Sequence, residues 1–248
     1  IFGSNASGNV NSSAGWYVGG LVGEFYEEWG AGYAYLISNS HATGDVQGYS
    51  QVGGLVGDFY TGNITNSYAT GNVIGGDVEV GGLVGYFMGL NISDSYVTGN
   101  VNGIGDSTGG LVGKFDSGLF ISDSYATGNV TGGGESTGGL VGKFEGNLLE
   151  GTDEEIRNSY ATGNINSVGD YTGGLVGYFS GDTITSRVRA SYATGNVSST
   201  GDYVGGLVGY FYGAINETYA TGKVKGEGIQ GGVGGLIGSF TGRIRFPS

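Results

Sequence analysis

The 248-residue chain has no cysteine, one proline (Pro247) and one histidine (His41). Without cysteine there is no disulfide framework and no thiolate metal site, and the redox compartment cannot be read. A single histidine excludes the zinc-peptidase pattern, which needs two histidines one helical turn apart with a glutamate. It also leaves a Ser-His-Asp assembly only one place to form. Scarce proline excludes collagen, and the 58 glycines follow no three-residue period. Basic residues are few: 9 Lys and Arg stand against 22 Asp and Glu, a net charge of −13. That balance argues against nucleic acid or an anionic membrane as partner and favours cations or basic surfaces. No apolar run is long enough to span a bilayer, and no leader pattern follows Ile1. A first residue other than Met is expected of a fragment or a processed product.

What the sequence does contain is a repeat. Gly-Gly-Leu-Val-Gly occurs at residues 19–23, 53–57, 81–85, 109–113, 138–142, 173–177 and 205–209, and Gly234-Gly235-Leu236-Ile237-Gly238 closes the series. Two residues after each copy stands a phenylalanine, from Phe25 to Phe240. Copies recur every 28 to 35 residues, a period typical of solenoid arrays. The 18 Tyr, 11 Phe and many β-branched residues set the chain apart from disordered glycine-rich sequences. Residues 1–248 therefore read as one elongated domain, counted in turns.

A second phrase, Ser67-Tyr68-Ala69-Thr70-Gly71-Asn72-Val73, has counterparts beginning at Ser95, Ser124, Ser159, Ser191 and Thr218. Neither phrase has helical spacing, and both concentrate β-branched and aromatic residues between glycines, so both read as strands. The expected fold is an all-β solenoid, a right-handed parallel β-helix of about eight turns of about 28 residues. Stacked antiparallel hairpins are the alternative, because the shortest connections are also of hairpin length. At about 4.8 Å per turn the rod would be on the order of 40 Å long.

Period-two alternation assigns faces. In the first phrase Leu55, Gly57 and Phe59 should point inward and Val56 outward unless a bend near Gly57 intervenes. The position before each Phe holds Glu24, Asp58, Tyr86, Lys114, Lys143, Tyr178, Tyr210 or Ser239, a mixture that suits solvent. In the second phrase Ser67, Ala69, Gly71 and Val73 should share the interior. Tyr68, Tyr96, Tyr125, Tyr160, Tyr192 and Tyr219 then form an outward ladder beside Thr70, Thr98, Thr127, Thr162, Thr194 and Thr221. His41 takes a tyrosine position and is expected to be a substituted rung of that ladder. An isoleucine column runs from Ile1 to Ile244 at one phase of the repeat.

Two surface features are candidates for binding. Asp106, Glu135, Asp170 and Asp202 each lie three residues before a Gly-Gly pair, so successive turns should stack them into an acidic column. Such a column is either a solvated edge or a calcium site with oxygen ligands; no other cofactor is indicated. The two longest insertions, at residues 26–36 and 145–155, put Trp29 and Tyr33 in one loop and Glu150, Asp153, Glu154 and Glu155 in the other. Insertions at one corner of a solenoid often mark a recognition surface.

The Gly-Leu-Val-Gly cores beginning at Gly20, Gly54, Gly82, Gly110, Gly139, Gly174 and Gly206, with their Ser-Tyr-Ala-Thr-Gly partners, resemble the GLUG motif. That unit is found in bacterial surface adhesins and in non-catalytic regions of secreted immunoglobulin-A-specific peptidases. The resemblance covers nearly the whole chain. It implies an extracellular or cell-surface setting and a structural, stalk-like or adhesive role without catalysis. Open solenoid ends make end-to-end stacking into a filament one expected mode of self-association, lateral packing another, and a host surface or glycan a further partner. Arg243, Arg245 and Pro247 would be the residues that block such stacking. Threonine ranks could instead order water for ice binding, and tyrosines could meet sugar rings. A polysaccharide-cleaving site would have to use Arg157, Arg187 and Arg189 beside the acidic loop.

Overall fold

The computed structural model describes residues 1–26, 35–146, 153–181 and 185–241. Every element among them is a strand, so no helix there is long and apolar enough to cross a membrane. One turn shows the plan: strands at Asn63–Thr65, Tyr68–Ala69, Val73–Gly75, Val80–Gly81 and Val84–Phe87, each beginning a new side. Equivalent strands of successive turns pair into five sheets, named here after their recurrent residues: isoleucine, tyrosine, valine, glycine and phenylalanine. The isoleucine sheet holds seven strands and the other four hold eight each, about seven full turns. All pairings are parallel and join equivalent positions of the repeat, often like residues, for example Ile64 with Ile92, Tyr68 with Tyr96 and Phe87 with Phe115. The β-solenoid expectation holds, and the hairpin alternative does not.

Corners between the short strands come from the repeat itself. Two non-glycine residues per turn adopt left-handed backbone, such as Asn66 (φ 47°) before the tyrosine sheet and Glu79 (φ 61°) before the glycine sheet. Asn and Asp, which tolerate this region best, fill most of the first positions. At the Gly-Gly-Leu-Val-Gly corner the backbones come too close for side chains. A Cβ on Gly53 would lie inside the Val56 carbonyl oxygen, and one on Gly54 would strike the Gly82 carbonyl of the next turn.

That corner also corrects the assigned parity. The bend lies at Gly54 and Leu55, one step before the strand begins at Val56, so Leu55 and Val56 both face the interior and are 0% exposed. Both of their N–H groups donate to one acceptor, the Leu83 carbonyl of the next turn, at 2.9 and 3.0 Å. The interior is divided in two. A larger compartment stacks Ile64, Ala69, Leu55, Val56 and Phe59 with their equivalents, and a smaller one stacks valines such as Val73 and Val80. Phenylalanine rings lie face to face along the axis, with centroids 5.2 Å apart for Phe59 and Phe87 and 4.9 Å for Phe115 and Phe144.

Candidate functional site

The tyrosine sheet carries the predicted outward ladder. His41 stacks on Tyr68 at 4.6 Å, and the column continues through Tyr96, Tyr125, Tyr160, Tyr192 and Tyr219 at 4.8–5.1 Å, with ring planes within 8° of parallel. Thr98, Thr127, Thr162, Thr194 and Thr221 are exposed beside it, and Thr70 is half-buried. This geometry changes what the column can bind. Each ring spends its faces on its neighbours, so the flank presents edges and phenolic oxygens. A sugar ring could stack on a tyrosine only at the ends of the column. Trp29 and Tyr33 fall outside the described residues, as do Arg243, Ile244, Arg245 and Pro247.

Two polar ladders flank these rings, and neither was read from the sequence. On the buried side, the Ser67 N–H donates to Ser95 Oγ (3.2 Å), Ser95 N–H to Ser124 Oγ (3.2 Å) and Ser159 N–H to Ser191 Oγ (3.1 Å). Each Oγ also donates to the carbonyl two residues before it, as Ser95 does to Ser93 at 2.7 Å. On the exposed side the bonds run the other way along the rod. The Asn100 N–H donates to Asn72 Oδ1 (3.1 Å), Asn129 N–H to Asn100 Oδ1 (2.9 Å) and Asn164 N–H to Asn129 Oδ1 (2.9 Å). Recurrence of Ser and Asn in the second phrase was the available signal.

The acidic column exists, but its oxygens serve the backbone. Asp106 Oδ1 accepts the Glu135 N–H (2.8 Å), Asp170 Oδ1 the Asp202 N–H (2.7 Å) and Asp202 Oδ1 the Gln230 N–H (3.0 Å). Among the described residues no three acidic or histidine side chains converge as metal ligands. The column therefore works as a turn-to-turn clamp, whether or not calcium also visits it.

Within the phenylalanine sheet, one expectation fails. Asp58, in register between Glu24 and Tyr86, is 1% exposed rather than solvated, and neither carboxyl oxygen has a hydrogen-bond partner. Burial, and then the charges of Glu24 and Glu79, push its pKa up to about 7. Glu79 is raised by burial too, although Gln51 Nε2 donates to it at 2.7 Å. Farther along, Lys114 bridges Asp116 (3.1 Å) and Glu145 (2.9 Å), and Lys143 meets Glu145 at 2.7 Å. Burial pushes Asp116 and Glu145 up, but the lysine hydrogen bonds and charges outweigh it and hold both below their usual range.

The arginines of the isoleucine sheet gather around one acid. Glu155, only 7% exposed in its side chain, faces Arg157 (3.6 Å), Arg187 (3.7 Å) and Arg189 (3.1 Å), while Arg187 also pairs with Asp153 at 2.8 Å. Glu154 is fully buried and accepts the Ser186 hydroxyl at 2.7 Å. That carboxylate is enclosed and Glu155 is ion-paired, while Glu150 lies outside the described residues.

Comparison with known proteins agrees with the repeat. The GLUG motif family matches residues 48–74 and 76–102. Halomucin of Haloquadratum walsbyi (strain DSM 16790 / HBSQ001) is 42% identical over 73 residues, a stretch covering 29% of this chain and 1% of halomucin. No solved structure matches. The turns on either side of residues 48–102 repeat the strand order and register of the matched pair. The chain carries GLUG-motif repeats at residues 48–74 and 76–102, and its other described turns follow the same plan.

Proposed function

We propose that the chain is a rigid extracellular or cell-surface repeat module whose role is structural and adhesive. The observation that carries this reading is the register itself. Ring stacks, serine and asparagine ladders and parallel backbone pairing all join each turn to the next, which makes a stiff rod whose flanks are polar and acidic. Similarity to halomucin over part of the chain supports a surface setting, and the motif assignment supports a non-catalytic role. Catalysis has little to build on: His41 is stacked on Tyr68, and the arginine candidates are gathered around Glu155. Strand edges of the same phase at both ends of the described stack suit a further turn, from this chain or from another copy. An antibody against residues 1–248 should label intact cells of the source organism or material shed from them. Labelling confined to permeabilised cells would overturn the proposal.

A further inference from the structure

Grooves open on the outside of the rod, and two of them differ in character. The larger, about 570 Å³, lies on the valine sheet and is lined by Asn9, Asp45, Asn72 and Asn100. Its polar atoms are committed: Asn9, Asp45 and Asn72 each accept the backbone N–H of the following turn at 2.7–3.1 Å. The smaller, about 400 Å³, lies on the isoleucine sheet between Asn63 and Arg157. That is within the usual size range of small-ligand sites.

This second face carries outward columns whose chemistry changes from turn to turn. Its central residues Ile64, Ile92, Ile121, Ile156 and Val188 are 0% exposed, so the residues on either side point outward. Read along the axis, one outward column runs Asn63, Asn91, Phe120, Glu155, Arg187 and the other Thr65, Ser93, Ser122, Arg157, Arg189. The buried columns largely repeat one residue type because packing requires it, whereas the outward columns of the valine, phenylalanine and isoleucine sheets vary. Here the backbone stays constant while the chemistry passes from amide to aromatic to guanidinium, so stacking does not dictate these side chains.

Several groups in the groove have capacity to spare. Asn91 Nδ2 donates to Asn63 Oδ1 at 2.8 Å, yet Asn91 Oδ1 is buried with no donor. A buried acceptor left unpaired is costly to the fold. Arg157 lies 4.9 Å over the Phe120 ring, with one end toward Glu155 at 3.6 Å. Its fork of five N–H donors is only partly used, and the side chain is 39% exposed. Asp94 adds a carboxylate, and Ser93 and Ser122 add hydroxyls.

We propose that this groove is an oligosaccharide-binding subsite, in which Arg157 and the serine hydroxyls donate to sugar oxygens, Asp94 accepts from sugar hydroxyls, and Phe120 forms the apolar wall. Neighbouring hydroxyls on a pyranose require donors and acceptors side by side, which this groove supplies. A phosphate or sulfate would meet the Asp94 carboxylate as a repulsive neighbour. An extended peptide finds no free strand edge, since the sheet is paired on both sides here. The inference deepens the adhesive role proposed above and rests on it for its biological setting.

The test is a titration of the ¹⁵N-labelled chain with maltotetraose, cellotetraose, chitotetraose and tetragalacturonate, read by nuclear magnetic resonance. At least one sugar should give saturable shifts centred on Asn91, Phe120 and Arg157. Arg157→Ala and Phe120→Ala should each weaken that binding about tenfold with unchanged circular dichroism. Asn102→Ala, in the other groove, should leave it unchanged. Absence of saturable shifts with all four sugars, shifts centred elsewhere, or parental affinity in both groove variants would overturn the proposal. Surface labelling without sugar binding removes this inference alone, whereas sugar binding by a chain found only inside cells removes the module reading instead.

Discussion

The N–H of Ser67 points at the hydroxyl oxygen of Ser95 one turn along, 3.2 Å away, and both residues are buried. Ser95 Oγ donates a hydrogen bond to the Ser93 carbonyl at 2.7 Å, so one hydroxyl satisfies two backbone groups in adjacent turns. Ser95→Ala removes the acceptor and leaves a buried N–H unpaired. The expected cost is about 1–3 kcal/mol, measured by chemical denaturation.

Asp58 should make stability depend on pH in an unusual direction. Its folded pKa is raised from 3.8 to about 7, so between these values the folded chain holds a proton that the unfolded chain has released. Stability from this group is complete below about pH 4, falls as pH rises to about 7, and is flat above, a total of up to about 4 kcal/mol. Asp58→Asn should remove that slope and raise the melting temperature at pH 8 more than at pH 4. Equal effects at both values would show that the carboxyl is not titrating in this window.

Asp116 and Glu145 act with the opposite sign. Held below their usual range, they contribute stability above the unfolded carboxylate pKa that is lost on acidification. In Lys114→Met the acid-side loss should shrink, because Asp116 (3.1 Å) and Glu145 (2.9 Å) would lose a shared partner. Denaturation curves at pH 3 and pH 6 check this.

The two aromatic columns should differ in energy despite similar stacking. Phe115 is 0% exposed between Phe87 and Phe144, so Phe115→Ala should cost about 3–5 kcal/mol. Tyr125 is half-buried between Tyr96 and Tyr160, and Tyr125→Ala should cost nearer 1 kcal/mol. Thermal melts of both variants settle the order.

Ala190 occupies the left-handed corner (φ 47°) that Asn39, Asn66 and Asn158 fill in other turns. Ala190→Asn should stabilise the chain by about 0.5–1 kcal/mol, since Asn tolerates that backbone better. No change in melting temperature would mean that the corner relaxes around alanine.

Recurrence made most of the fold legible. Leu55, Ala69 and Phe59 announce their interior positions by returning in every turn, and the tyrosine column follows from simple alternation. Alternation failed where the chain bends, because Val56 begins a new side rather than continuing the old one. It also failed at Asp58: variety at that position suggested solvent, but burial there depends on what covers each individual turn. The isoleucine-sheet groove was least legible. Its residues differ from turn to turn, so they carry no periodic signal, and only the register brings Asn91, Phe120 and Arg157 side by side.

The opposed directions of the serine and asparagine ladders have a consequence for how such a molecule changes size. A turn receives bonds from one neighbour on its buried side and from the other on its exposed side, so the upper joint of any turn fits the lower joint of any other. Length is thus adjustable in whole increments: a segment such as Ser95 to Asp123 can be duplicated or excised and the seam closes on the same contacts. The reach of the rod becomes a property its gene can tune by copying, while the joint between turns stays unaltered.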